Sequence, residues 1–200
     1  HRSHLSKQFR RGRPDLAHKE LDAAEAWATS ARQRQELTLT RGFLELAEPD
    51  QPVVPKLEAL IAQQGGGFAG QVSVALAGYR MDIEVIGMYE QHQFKQSAVI
   101  DRDDLIAVLD HLHQFVMKQR RFSQRLIDWL NKGFTKAPWK TLNRSETEFA
   151  CETLSAIMAN RVRSTVARAA LKRWKQEPIF ELHLFEACHG NNLSPAEPKE

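Results

Sequence analysis

The stretch that decides the fold is QVSVALAGYRMDIEVIGMYEQHQFKQSAVI, residues 71–100. Its β-branched residues alternate with small or polar ones, Val72, Val74 and Leu76 on one face and then Met81, Ile83 and Val85 on another. Strict alternation is the signature of a half-buried strand. The economical reading is three antiparallel strands in a meander, turning near Gly78 and near Gln91 to Gln93.

Upstream of this stretch lies GGGFAG, residues 65–70, which formally matches G-x-G-x-x-G. A dinucleotide fingerprint must follow a strand and open a helix, whereas here a helical pattern precedes the glycines and a strand pattern follows. The glycines are therefore expected to form a helix C-cap and turn. Before them, KLEALIAQQ reads as a short helix started by Pro55, and DLAHKELDAAEAWATSARQRQ as a helix capped by Asp15, while LTLTRGFLELAE suits either strand or helix.

Downstream, Asp101 to Asp104 introduce one long helix through Gly133, with Val108, Phe115, Phe122 and Trp129 recurring every seven residues and Leu112 and Leu126 beside them. Acids at its start and cations later suit the helix macrodipole. Ser145 opens a capping box, SETE, for a last long helix to about Gln176. The expected fold class is α+β: mostly helical, with a small antiparallel sheet (the meander over about 70–100 and a further strand over 179–187) packed on two long helices. Residues 1–13 read as a flexible basic arm, 14–190 as one domain and 191–200 as a disordered tail.

At 200 residues, 42% hydrophobic and 26% charged, the chain is large enough to bury a core. No apolar run reaches the length of a spanning helix. Its two cysteines, Cys151 and Cys188, favour a reducing compartment, so a cytoplasmic location is expected. The net charge of +3 conceals strong polarisation. Residues 1–13 hold five cations and no acid; 14–116 hold eight cations and sixteen acids; 117–175 hold fourteen cations and four acids; 176–200 hold one cation and five acids. Such blocks point to an anionic partner, or to one end of the molecule docking on another.

Catalytic patterns are weak. His111 and His113 are two residues apart on a helix, about 200° of rotation, and cannot converge on one ion. Asp101, Asp103 and Asp104 read as helix-capping acids before they read as a Mg²⁺ cluster. Cys188 with His189 is half a zinc site without a second pair at ligand spacing. Cys151 lies mid-helix, where a thiol is inert. Glu90 and His92 are an acid/base pair only if their turn is more than an exposed one. No nucleophile elbow or phosphate-binding loop motif occurs. The expectation is a non-catalytic chain with no metal and no cofactor.

Cations carry the strongest signal, in three patches. On the last helix Arg161, Arg168, Lys172 and Lys175 fall within about 60° of one another. In the connector, Lys132, Lys136, Lys140 and Arg144 recur every four residues around Trp139, the interleaving of cations and aromatics that a single strand needs. Arg120, Arg121 and Arg125 complete the set with Lys118. The acids that intersperse an ordinary solvated face are missing. The leading expectation is a nucleic-acid-binding accessory protein (DNA or RNA), directed at the backbone or at single strands, within a larger complex. The alternative is the soluble cytoplasmic domain of a membrane-associated assembly, its basic surface receiving acidic protein segments or anionic lipid. The chain opens at His1 rather than Met, and in that case its basic arm would flank an anchor.

Overall fold

The computed structural model describes residues 14–48, 50, 52–92, 100–118 and 122–162, with the backbone alone at 14, 117, 155 and 158–162. Among these residues every regular element is helical and there is no strand. The order is α1 (Pro14–Trp27), α2 (Ala31–Leu46), α3 (Val53–Gln63), α4 (Gly67–Arg80), α5 (Val85–Gln91), α6 (Arg102–Met117), α7 (Gln124–Phe134), a 3-10 turn (Trp139–Thr141) and α8 (Arg144–Val162). The chain divides into two compact units. The described parts of one are residues 14–48, 50, 52–66 and 73–92, and of the other 67–72, 100–118 and 122–162.

The expected meander is overturned, because residues 67–80 and 85–91 are the helices α4 and α5. The physical reason is burial on every side of α4. Phe68, Ala69, Val72, Val74, Ala75 and Leu76 are all buried, although residues two apart lie about 200° apart around a helix. A helix covered all round needs no polar face, so its sequence loses the 3.6-residue stripe and its valines pass for a strand. The chain reverses at Asp82 rather than at Gly78. Asp82 adopts φ 60°, and the N–H groups of Asp82 and Ile83 donate to the carbonyls of Tyr79 (3.1 Å) and Gly78 (2.8 Å). This is a Schellman ending with an aspartate in the left-handed position. The proposed strand over 179–187 lies outside the described residues, as do residues 93–99 of the third meander strand.

In the first unit α1 packs against α2, and α2 against α3. Ala17, Leu21 and Leu44 form one cluster, with Leu37 partly buried on it. The helix expected to run from Asp15 through Gln35 is two helices. It breaks at Thr29–Ser30, where the Ser30 hydroxyl accepts from the Gln33 N–H and the Gln33 side chain accepts from the Ser30 N–H, both at 3.1 Å. LTLTRGFLELAE proves helical, completing α2. The glycine turn after α3 is a C-cap as expected. Gly65, at φ 97°, donates to Ala62 and Gly66 to Ile61, but a helix follows it, not a strand.

In the second unit α6 packs along α8. The stripe Val108, Leu112, Phe115, Phe122, Leu126 and Trp129 is buried as expected, although the helix carrying it is interrupted. Ser123 caps a new helix by accepting from the Leu126 N–H at 3.2 Å. Gly133 does not end that helix. It lies inside α7, where an added Cβ would fall on the ring of Phe68. The capping box of α8 belongs to Asn143 and Glu146 instead of Ser145 and Glu148. Asn143 Oδ1 accepts from the Glu146 N–H (2.9 Å) and Glu146 Oε1 from the Asn143 N–H (2.8 Å).

Candidate nucleic-acid interface

The connector between α7 and α8 is held from within. Trp139 is 4% exposed, its ring meeting Phe134 edge-on at 5.2 Å and its Nε1–H donating to the Phe134 carbonyl at 3.3 Å. Phe134 in turn meets Phe68 at 6.0 Å. Leu142 is buried at the far end. Backbone bonds from Ala137 to Phe134 and from Thr141 to Pro138 tighten the turn between these anchors. Trp139 thus plugs the core, and an indole so placed offers no face to a base.

With Trp139 turned inward, Lys132, Lys136 and Lys140 are all exposed. None of the three side chains has an ion pair or hydrogen bond among the described residues. Lys132 sits in the last turn of α7, where a cation also complements the carbonyl end of the helix. Arg144 is exposed and pairs with Glu148 one turn on, at 3.3 Å. Glu146, in the first turn of α8, is already committed. The N–H of Asn143 and the guanidinium of Arg102, at 2.6 and 2.5 Å, hold its carboxyl below the usual carboxylate range. Arg102 also donates from Nε to the Thr141 carbonyl at 3.3 Å, fixing the 3-10 turn that carries Lys140.

Of the other cations named from the sequence, Arg125 is exposed on the first turn of α7 and has an interaction partner. Arg161 lies on α8, its backbone alone described. Arg120, Arg121, Arg168, Lys172 and Lys175 lie outside the described residues. The structure thus leaves Lys132 at the end of α7 and Lys136 and Lys140 on the anchored connector exposed, and buries Trp139.

The acidic and nucleophilic candidates resolve structurally. Asp101 accepts from the Asp104 N–H at 2.7 Å, capping α6. Asp104 turns away and accepts from the Ala69 N–H at 3.0 Å, at the start of α4. Burial pushes the Asp104 carboxyl above its ordinary value, the Ala69 N–H opposing this and Asp101 adding to it. Asp103 is exposed, 3.7 Å from Arg102. His113 bonds Thr153 at 3.3 Å and stacks on Phe149 at 4.7 Å, a packing role. Among the described residues no group of His, Cys, Asp and Glu is placed to hold a metal ion. Glu90 and His92 are exposed at the end of α5 rather than at a strand turn. Cys151 is half-buried on α8 and disulfide-bonded, so it offers no thiol, contrary to the expectation of a reduced cysteine. Cys188 and His189 lie outside the described residues. No helix of the described residues is long and apolar enough to cross a membrane.

The first unit holds an open groove of about 290 Å³ between α2 and α3, with Gly42 and Leu60 on its apolar side. Its charged groups are satisfied internally. Lys56 pairs with Glu45 at 3.1 Å, and Arg41 pairs with Asp22 and Glu25 at 2.7 and 2.9 Å. Hydrogen bonds donated to the Asp22 and Glu25 carboxylates raise the Arg41 pKa above its ordinary value. Sequence reasoning passed over one surface residue, Trp27, which is 83% exposed at the end of α1. The signal available was its position just before the T-S break that caps α2. Comparison of the chain with family models, curated proteins and solved structures gives no match.

Proposed function

We propose that the chain is a non-catalytic nucleic-acid-binding accessory protein that contacts the phosphate backbone and works within a larger complex. The observation that carries this reading is the row Lys132, Lys136 and Lys140, exposed and without an ion pair among the described residues. Ammonium groups on an anchored connector present charge at low entropic cost, because the backbone between them is already ordered by Trp139 and Leu142. Each phosphate they meet releases counterion, a contribution independent of base sequence. Base stacking at the connector is not part of the reading, since Trp139 is buried.

The test is fluorescence anisotropy of a labelled duplex between about 50 and about 200 mM salt. Replacing Lys132, Lys136 and Lys140 together with Gln should weaken binding equally across unrelated sequences. It should also reduce the slope of log K against log salt by about 2.7, or about 0.9 for each lysine. Failure of the unaltered chain to bind at the lowest salt, or an unchanged slope in the triple variant, would refute the proposal.

A further inference from the structure

Three tryptophans lie in the described residues, and two of them, Trp129 and Trp139, are 4% exposed. Trp27 is the exception, at 83%, and is the one large hydrophobic side chain so exposed among the described residues. It closes α1 at the apex of the α1–α2 hairpin, where Ala23, Ala26 and Ala31 are exposed as well. The apex is well defined. The Ala28 N–H donates to the Glu25 carbonyl at 3.2 Å, and the N–H groups of Thr29 and Ser30 both donate to Gln33 Oε1 at 3.1 Å. The ring is therefore carried on an ordered turn rather than on a frayed end.

Two cations stand just beyond it, Arg32 and Arg34 in the first turn of α2. Arg32 reaches only Glu36, at 3.8 Å with 79% of its side chain exposed. Arg34 is exposed and has no ion pair among the described residues. The α1 carboxylates nearest the apex, Asp22 and Glu25, would repel a phosphate if free, but both are bound to Arg41 at 2.7 and 2.9 Å.

Size decides what such an apex can hold. A stable protein partner needs roughly 800 Å² from each side, whereas one indole supplies about 150–250 Å² and its neighbours add only alanine methyl groups. A nucleobase needs a single ring face and a cation for its phosphate. We propose that the α1–α2 apex is a stacking site for single-stranded nucleic acid, with a base lying on the Trp27 indole and Arg32 and Arg34 meeting the adjoining phosphates. The proposal rests on the nucleic-acid reading above and adds selectivity to it. Paired bases in a duplex are already stacked and hide their faces, so this site takes single strands while the connector lysines take either form.

The experiment is anisotropy with a labelled oligothymidylate and a duplex of equal length, comparing the unaltered chain with Trp27→Ala, Trp27→Phe and the pair Arg32→Gln and Arg34→Gln. Trp27→Ala should weaken single-strand binding about 5- to 150-fold, the equivalent of about 1–3 kcal/mol for one stacked base, and leave duplex binding unchanged. Trp27→Phe should retain most of the affinity. The arginine pair should lower the single-strand salt slope by about 1.4. Because Trp27 is exposed and alanine is the better helix former, the folded state should survive the change, which circular dichroism checks.

Unchanged single-strand affinity in Trp27→Ala, alongside a loss in the connector lysine variant, would overturn the stacking site and leave the connector reading standing. Equal losses on single strand and duplex would overturn the stacking account, as would a shift in oligomeric state by light scattering without a change in affinity. No binding of either nucleic acid by the unaltered chain would overturn both readings.

Discussion

Gly133→Ala should destabilise the second unit although alanine is the better helix former. Gly133 lies inside α7, and a Cβ built there lands on Cζ and Cε2 of Phe68 and 3.0 Å from its Cε1. The ring cannot simply swing aside. Phe68 is 1% exposed and is bounded by Trp129 at 5.5 Å and Phe134 at 6.0 Å, the latter meeting Trp139 edge-on in turn. Overpacking of this kind costs about 1–3 kcal/mol, and the tight boundary argues for the upper half. Against it stands the propensity gain of about 1 kcal/mol for replacing a helical glycine by alanine. The net loss should be about 1–2 kcal/mol, a fall in Tm of about 2–8 °C for a chain of this size.

Urea unfolding followed by circular dichroism measures this loss. Repeating the substitution in a Phe68→Ala background isolates the clash. With the ring gone, Gly133→Ala should become neutral or stabilise by up to about 1 kcal/mol, giving a coupling of about 2 kcal/mol. A stabilised or unchanged Gly133→Ala in the unaltered background would show that the ring is not held where this packing places it.

Asp104→Asn should be tolerated at neutral pH, since the amide oxygen can still accept from Ala69 at 3.0 Å. Because burial raises the folded-state pKa of Asp104, its protonated form favours the native state. That contribution is full below the unfolded value of about 3.9 and is lost as pH rises through the folded value. The Asn variant should therefore gain on the unaltered chain as pH rises from the unfolded value through the folded one in pH-resolved urea melts, and a constant difference would contradict the assignment. Glu146 has the opposite sign. Its lowered pKa gives stability present above the unfolded value of about 4.3 and lost as pH falls through the folded value, so Glu146→Gln should flatten the acid limb of the same profile. Asn143→Ala, which leaves the Glu146 N–H uncapped, should cost about 0.5–2 kcal/mol in thermal melts. Ser30→Ala should raise amide exchange in the first turn of α2 and cost about 1 kcal/mol, with protection in α6 and α8 unchanged.

Much of the burial pattern was readable without coordinates. The seven-residue recurrence of Val108, Phe115, Phe122 and Trp129 does mark core residues, because apolar periodicity reports which side of the chain faces inward. It does not report whether the helix hydrogen bonds are continuous, so the interruption before Ser123 was invisible in the stripe and visible only in a serine of capping chemistry. Ser30 misled in the same way. Asn143 was passed over for Ser145 because both stand three residues before a glutamate, and local sequence does not choose between two such starts. The connector lysines were legible as charge, but the Arg102–Glu146 pair that fixes the 3-10 turn carrying Lys140 joins residues far apart in the chain and was not.

By itself the sequence determined what short-range chemistry can determine: which residues are apolar, where cations outnumber acids, and that Gly65 and Gly66 would close a helix, since their backbone freedom is intrinsic to them. Tertiary structure decided the state of residues 67–91. Alternating valines fit a pleated surface and an enclosed helix equally well, and only neighbours covering α4 on all sides made the helix the better answer. It also decided which tryptophan faces water. Trp27 and Trp139 carry the same ring, but Trp139 found an aromatic wall completed by Phe68 and a carbonyl for its N–H, while Trp27 stands beyond the end of its helix's buried face. An indole is buried where distant parts of the chain build a cavity for it, and no local pattern reports that cavity.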